Sequence, residues 1–150
     1  MARLPDLIVR RIEPGSPEHD ASLELRHRVM YQPFGLGCEF AAGAEADDCV
    51  HVACLQGDEL IAYGRLVYDE GGDEGQVYQV VVAPRFQRMG LGRMVMTDLL
   101  DRARSRGHGR VRLDARLPVV GFYELLGFRV VGGEFVNRTG LPHVPMARDL

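Results

Sequence analysis

Two glycines two residues apart, Gly90 and Gly92, separate a β-branched run at residues 77–82 from a segment of helical apolar spacing. Glycine lets a ligand approach the main chain closely. The free N–H groups of a helix start, together with the helix dipole, attract phosphate. Arg88 and Arg93 add positive charge beside the turn. The spacing predicts a site for a phosphate-bearing ligand that needs no lysine. An ordinary glycine-bearing turn before a helix remains the alternative.

A second segment places an aromatic pair, Phe122-Tyr123, on a short predicted helix that Gly127 ends. Such a pair usually belongs to a hydrophobic core. Its position after a phosphate-binding turn favours a role at the same site. A phenol of reference pKa near 10 is protonated at neutral pH and can donate a proton.

The glycine turn also allows a dinucleotide-binding interpretation. A Rossmann fingerprint would place a third glycine at position 95, where the chain has Val95. The missing glycine removes the close contact between helix and strand, so a nucleotide-binding oxidoreductase is disfavoured.

The elements that must position these segments follow from apolar periodicity and turn residues. Helices are predicted from the Ser16-Pro17 start, from Leu91 to the glycines at 107 and 109, and over residues 119–126. Residues 32–48 are expected to be irregular. Strands are predicted at residues 7–12, 50–55, 60–68, 77–82, 111–115, 128–135 and 144–148, with a hairpin turn at Gly57-Asp58. The order indicates an α+β or mixed α/β domain.

Composition narrows the function classes further. The chain has 150 residues, 46% hydrophobic and 26% charged, which suits one globular domain. All 18 basic residues are arginine, which excludes Schiff-base lysines and a Walker-type phosphate loop. A net charge of −3 argues against nucleic-acid binding. No apolar run reaches the ~20 residues that span a bilayer, and the N-terminus lacks a signal-peptide pattern. The three cysteines form no metal-ligand pair, so we expect reduced thiols, no metal and a cytoplasmic location.

Taken together, the two segments resemble the GNAT N-acetyltransferase superfamily. The resemblance lies in V-x-V-x-P at residues 80–84, in Gln87, Gly90 and Gly92, and in F-Y-x-x-x-G-F at residues 122–128. The C-terminal residues 140–148, with Pro-His and Met-Ala-Arg, are similar to ElaA-like members. The chain departs from them in two places. Tyr31-Gln32-Pro33 stands where Val-Glu-Gln often occurs, and Asp114 and Arg116 stand near the position of a frequent asparagine or glutamine.

The resemblance implies a twisted, mostly antiparallel sheet flanked by helices, as one domain over residues 1–150. It implies acetyl-CoA as acetyl donor, a primary amine as acceptor, and Tyr123 as the general acid that protonates the leaving thiolate. The pantetheine would run along the central strand, where a backbone N–H could polarise the thioester carbonyl. The cofactor-binding residues carried over are Val80, Val81 and Val82 on the strand and Gln87, Arg88, Met89, Gly90, Leu91, Gly92 and Arg93 on the turn.

The sequence leaves the acceptor side open. Glu39, His51 and His143 are candidates for the group that takes the proton from the amine. The acidic segments at residues 45–48 and 69–74 are either solvated loops or a surface that attracts a cationic amine, and we predict a cationic acceptor from them. The acceptor is a small molecule or a peptide, and a homodimer is compatible with the sequence. A non-catalytic CoA-sensing or interaction domain on the same fold is the alternative function.

Overall fold

Alternating apolar residues and turn glycines arrange the chain into one twisted sheet. The structure, a computed structural model, describes residues 4–42 and 48–150. The strands in this part of the chain are β1 (Leu7–Ile12), β2 (Cys49–Gln56), β3 (Glu59–Val67), β4 (Glu74–Val82), β5 (Arg110–Arg116), β6 (Arg129–Val130), β7 (Phe135–Val136) and β8 (Pro142–Asp149). Their order is β1-β2-β3-β4-β5-β8-β6, with β7 also paired to β8. Only β4 and β5 pair in parallel among these strands. The predicted fold class is confirmed.

Helices cover both faces of the sheet. Helix α1 (Pro17–Arg26) begins where Ser16 Oγ accepts a hydrogen bond from the His19 N–H at 3.1 Å, which confirms the predicted helix start. It continues into a π-helical turn at His27–Tyr31 and a 3₁₀ turn at Gln32–Phe34. The other helices of the described chain are α2 (Glu39–Ala42), α3 (Leu91–Ser105) and α4 (Val120–Leu125).

Two neighbouring residues of β3 show that α1 and α3 lie on opposite faces. The Tyr63 ring lies under the guanidinium of Arg26 in α1, with Cζ 4.1 Å from the ring centroid. The next residue, Gly64, faces α3 so closely that an added Cβ would lie 2.8 Å from Val95 Cγ1. Successive strand residues point to opposite faces. The sheet therefore separates an α1 face from an α3 face.

The core between the sheet and α3 contains fully buried aliphatic side chains, among them Leu99 at 0% exposure. We expect Leu99→Ala to lower the free energy of unfolding by about 2–5 kcal/mol, because the cavity it leaves fills only in part. Leu125 is 88% exposed, so Leu125→Ala should change that free energy by less than about 0.5 kcal/mol. Urea denaturation followed by circular dichroism measures both variants. Equal effects would contradict this assignment of the core.

Two predicted elements differ from the structure. The strand predicted at residues 128–135 is wrong as a continuous element, since β6 and β7 are two short strands on either side of residues 131–134. Gly132 and Gly133 lie in this interruption, where glycine weakens a strand. The stretch at residues 32–48, expected to be irregular, contains the 3₁₀ turn and α2. No helix of the described residues is long and apolar enough to cross a membrane.

Candidate active site

A cleft opens where β4 and β5 separate. The two strands pair only through residues 74–76 and 110–112. Further along β4, a β-bulge shifts the register of its pairing with β3, and Gln79 has a positive φ of 53°. The bulge adds a residue to β4 and bends the strand. The resulting cleft has a volume of about 1030 Å³, just above the usual range for a small-molecule site.

The main-chain polar groups of Val82 in β4 point toward this cleft. The Ala83 N–H donates to the Ile61 carbonyl of β3 at 2.8 Å. Because successive residues direct their peptide groups to opposite sides of a strand, those of Val82 point away from β3. The Val82 carbonyl accepts from Gln87 Nε2 at 3.2 Å. Val80, Val81 and Val82 all line the cleft.

The glycine turn lies at the start of α3. Gly90 is the N-cap with φ 83°, and Arg88 also has a left-handed φ of 63°. A Cβ at Gly92 would lie 3.1 Å from Phe122 Cζ, so the main chain of Gly92 packs against Phe122 of α4. The first turn of α3 contains no acidic residue. Six of the seven predicted turn residues line the cleft: Gln87, Arg88, Gly90, Leu91, Gly92 and Arg93.

Met89 is the predicted turn residue that does not line the cleft. Its side chain is 45% exposed. Arg88 and Arg93 are exposed beside the turn, so their charge adds to that of the helix dipole. The turn thus offers free N–H groups and two cations to an anionic ligand.

Tyr123 lies on α4 at the wall of the same cleft. Its side chain is 8% exposed and packs edge-on against Phe122 and Phe128, with ring centroids 5.0 and 5.9 Å away. Burial raises the pKa of the Tyr123 phenol well above its ordinary value. Within the described chain, the hydroxyl makes no hydrogen bond to another residue. A protonated, unpartnered phenol therefore stands at the cleft.

Of the three candidate bases, His143 alone lines the cleft. It lies on β8, and its Nδ1 is 2.8 Å from the Leu141 carbonyl, which fixes Nδ1 as the protonated nitrogen. Its Nε2 lies 3.4 Å from the Asn137 side-chain amide, which can donate to it. The single Nε2 lone pair faces this amide, so an amine or a water must replace the contact before Nε2 can accept a proton.

His51 and Glu39 do not line the cleft. His51 is 2% exposed on β2, where its Nδ1 lies 2.6 Å from the Tyr63 hydroxyl and its Nε2 3.6 Å from Cys49 Sγ. Glu39 is the first residue of α2, and its carbonyl accepts from Arg138 at 3.4 Å. The structure therefore brings only His143 of the three into the cleft that contains Tyr123.

The acidic segments lie apart from the cleft where they are described. Residues 45–47 are outside the described residues. Asp48 is paired with Arg106 at 2.9 Å, and this hydrogen bond lowers the pKa of the Asp48 carboxyl. Glu74 pairs with arginines 110 and 112 of β5. Among the described residues, Asp114 is the one carboxylate that lines the cleft, so these segments give no support to a cationic acceptor.

Sequence reasoning missed the polar wall formed by Gln79 and Tyr31. Gln79 Nε2 donates to the Tyr31 hydroxyl at 3.0 Å, and its Oε1 accepts from buried Arg26 at 2.9 Å. Both Gln79 and Tyr31 line the cleft. No local pattern predicts a left-handed glutamine in a strand, because such residues are uncommon and have no spacing signature.

The donor groups of the cleft suit an organic ligand rather than a metal ion. In residues 4–42 and 48–150, no three His, Cys, Asp or Glu side chains are placed to hold a metal ion. The glycine turn, Val82 and Tyr123 all line this cleft, which could accept an elongated ligand with a phosphate end.

Comparisons with known proteins identify the same regions. The model of the acetyltransferase (GNAT) family matches residues 15–128. The chain superposes on Escherichia coli ElaA with a TM-score of 0.80 at 22% identity, over 95% of this chain and 99% of that one. It superposes on an aminoglycoside 6'-N-acetyltransferase complexed with coenzyme A with a TM-score of 0.76 at 19% identity, over 95% and 96%. These two likenesses show a shared fold.

In sequence, serotonin N-acetyltransferase 2, chloroplastic, of Oryza sativa subsp. japonica is 44% identical over 68 residues. The matched segment is 45% of this chain and 34% of that protein. The family match is far broader, since it includes the β4–β5 cleft, the glycine turn and the aromatic element. The chain therefore belongs to the acetyltransferase (GNAT) family.

Proposed function

We propose that this chain, as one domain over residues 1–150, transfers the acetyl group of acetyl-CoA to a primary amine by direct attack in a ternary complex. The observation that supports this most is the β4–β5 gap, which has the glycine turn at one end and Tyr123 on its wall, with a hydroxyl that bonds to no described residue. Cys38, Cys49 and Cys54 form no disulfide among the described residues, which fits a cytoplasmic location.

The residues of the gap fit the parts of acetyl-CoA. The N–H groups from Gly90 onward and the charges of Arg88 and Arg93 suit the pyrophosphate. The exposed edge of β4 suits the amide-bearing pantetheine, which would add to the sheet like a further strand. A β4 peptide N–H in the gap can stabilise the negative charge that develops on the thioester oxygen. Acetyl-CoA supplies an activated carbonyl carbon for the amine nitrogen.

Two side chains can then donate and accept the protons of the reaction. The amine nitrogen bonds to the carbonyl carbon as the C–S bond breaks. Tyr123 gives its phenolic proton to the leaving sulfur. His143 Nε2, directly or through a water, takes the proton that the amine loses. The proton count balances, because one proton leaves the amine and one reaches the thiolate, and the two side chains re-equilibrate with solvent.

The test of this function is thiol release from acetyl-CoA in the presence of an amine library. Turnover with at least one primary amine is expected. A domain that binds CoA by calorimetry but never releases thiol with any amine would instead be the CoA-sensing alternative. The named relatives act on acceptors as different as serotonin and aminoglycosides, so the library must include small amines, amino acids and peptides.

His143→Gln should lower kcat/KM at neutral pH by about 100-fold, because the variant has no imidazole to accept the amine proton. The Kd of CoA should stay the same. The matched control is His27→Gln, since His27 is partly buried and does not line the cleft. A full-rate His143→Gln enzyme would exclude His143 as the base.

A further inference from the structure

Arg116 is an arginine of the cleft that forms no ion pair with any described residue, and it lies apart from the two arginines of the glycine turn. Arg116 ends β5 and lines the cleft. Its guanidinium Cζ lies 4.3 Å from the ring centroid of Phe34, which is itself 44% exposed. Among the described residues, the Arg116 side chain makes this stacking contact but no ion pair or hydrogen bond. The Phe34 ring orients the guanidinium plane and leaves its N–H groups available.

The position of Arg116 assigns it to the side of the cleft away from the glycine turn. In the ladder between β5 and β8, Arg116 lies directly opposite His143, so the two side chains share a face of the sheet. Phe34 belongs to the turn that extends α1. Gly90 and Gly92, in contrast, begin α3 on the other face. Arg116 therefore stands beside the proposed base, where an acceptor would lie.

The charged side chains that line the cleft carry a net positive charge. Arg88, Arg93 and Arg116 are its three arginines, and Asp114 is its one carboxylate among the described residues. The first two flank the glycine turn and suit the phosphates of CoA. Asp114 lies two residues before Arg116 on β5 and forms no ion pair with it in the described chain. Gln79 and Tyr31, which line the same cleft, are neutral and bonded to each other. An oriented guanidinium is a preferred partner for carboxylate and phosphate.

We infer that the acceptor amine carries an anionic group, a carboxylate or a phosphate, which Arg116 binds. The inference rests on the proposed acetyl transfer and names the chemical class of its acceptor. It replaces the cationic acceptor predicted from the acidic segments, because the described members of those segments do not line the cleft.

Matched pairs of amines test the inference. Amino acids are compared with their carboxamides, and phosphoethanolamine with ethanolamine, each with acetyl-CoA and thiol release as the readout. The wild-type kcat/KM should be about 10- to 100-fold higher for the anionic member of at least one pair, as expected for a charge-assisted contact. The two kinds of pair distinguish a carboxylate from a phosphate.

In Arg116→Gln the values of kcat/KM for the anionic and the neutral amine of each pair should be about equal. Arg129→Gln should keep the wild-type preference for the anionic amine. Arg129 is an exposed arginine outside the cleft, paired with Asp149. The Kd of CoA is measured for each variant. A preference that is absent in the wild type or persists in Arg116→Gln would overturn the inference. So would a rise in the CoA Kd that accounts for the whole loss, since Arg116 would then bind a phosphate of CoA.

A second readout keeps this inference separate from the acetyltransferase proposal. If no amine is turned over, that proposal fails, and the CoA-bound protein is heated with N-acetyl amino acids or their amides. A rise in Tm with the acids alone, lost in Arg116→Gln, would support an anion site at Arg116. Equal Tm values with acids and amides would overturn it.

Discussion

Replacing Tyr123 by phenylalanine should lower kcat by about 10²–10⁴-fold, the usual contribution of a general acid. The variant keeps the ring between Phe122 and Phe128 and removes only the hydroxyl. Folding and the Kd of acetyl-CoA should therefore stay close to those of the wild type. Single-turnover kinetics with a reactive amine measure the chemical step directly.

The pH dependence provides a second check on Tyr123. Burial raises the pKa of this phenol, so the protonated, donating form persists beyond the ordinary value of about 10. The wild-type rate should therefore show no alkaline decline caused by Tyr123 near pH 10. A Tyr123→Phe enzyme with full kcat would mean that the thiolate leaves unprotonated. A higher KM for acetyl-CoA with unchanged kcat would make Tyr123 a binding residue.

Gly90→Val should raise the Kd of acetyl-CoA by about 100-fold or more, which corresponds to the loss of one or two charge-assisted hydrogen bonds. Gly90 has φ 83°, a conformation that a β-branched residue rarely adopts. The turn must therefore change shape, and its N–H groups no longer converge. Gly92→Val should have a similar effect, because its Cβ would lie 3.1 Å from Phe122 Cζ and push that ring away. Isothermal titration calorimetry measures both.

The matched control is Gly133→Val. Gly133 lies between β6 and β7, has no positive φ, and an added Cβ there would meet no atom within 4 Å. Circular dichroism verifies that all three variants fold. Unchanged affinity in folded Gly90→Val and Gly92→Val would place the phosphates elsewhere, and equal losses in all three variants would make the effect nonspecific.

Local patterns were sufficient for most of the fold. The Gly57-Asp58 turn between β2 and β3 and the helix start at Ser16 are confirmed, because each depends on residues close in sequence. The strand predicted at residues 128–135 is wrong because Gly132 and Gly133 interrupt it, although apolar residues lie on both sides of them. There, pairing to β8 determines where the strands end.

The acceptor side could not be assembled from the sequence, because its members meet only through long-range packing. Phe34 and Arg116 are 82 positions apart in the sequence (116 − 34) and come into contact only in the folded chain. The sequence offers His51 on a strand and His143 between two prolines as candidate bases and does not decide between them. Only the structure shows that one is enclosed beside Tyr63 and the other lines the cleft.

The separation of β4 from β5 divides the sheet into two blocks that share three residue pairs. A ligand that bonds to both blocks cross-links them, and it binds the folded chain but not the unfolded one. At a free concentration 100 times its Kd, such a ligand adds about 2.7 kcal/mol to the free energy of unfolding. Protease resistance should then follow the supply of acetyl-CoA and CoA. When the concentrations of acetyl-CoA and CoA are both low, the protein should be degraded sooner. Its abundance would then report on the level of acetyl-CoA and CoA.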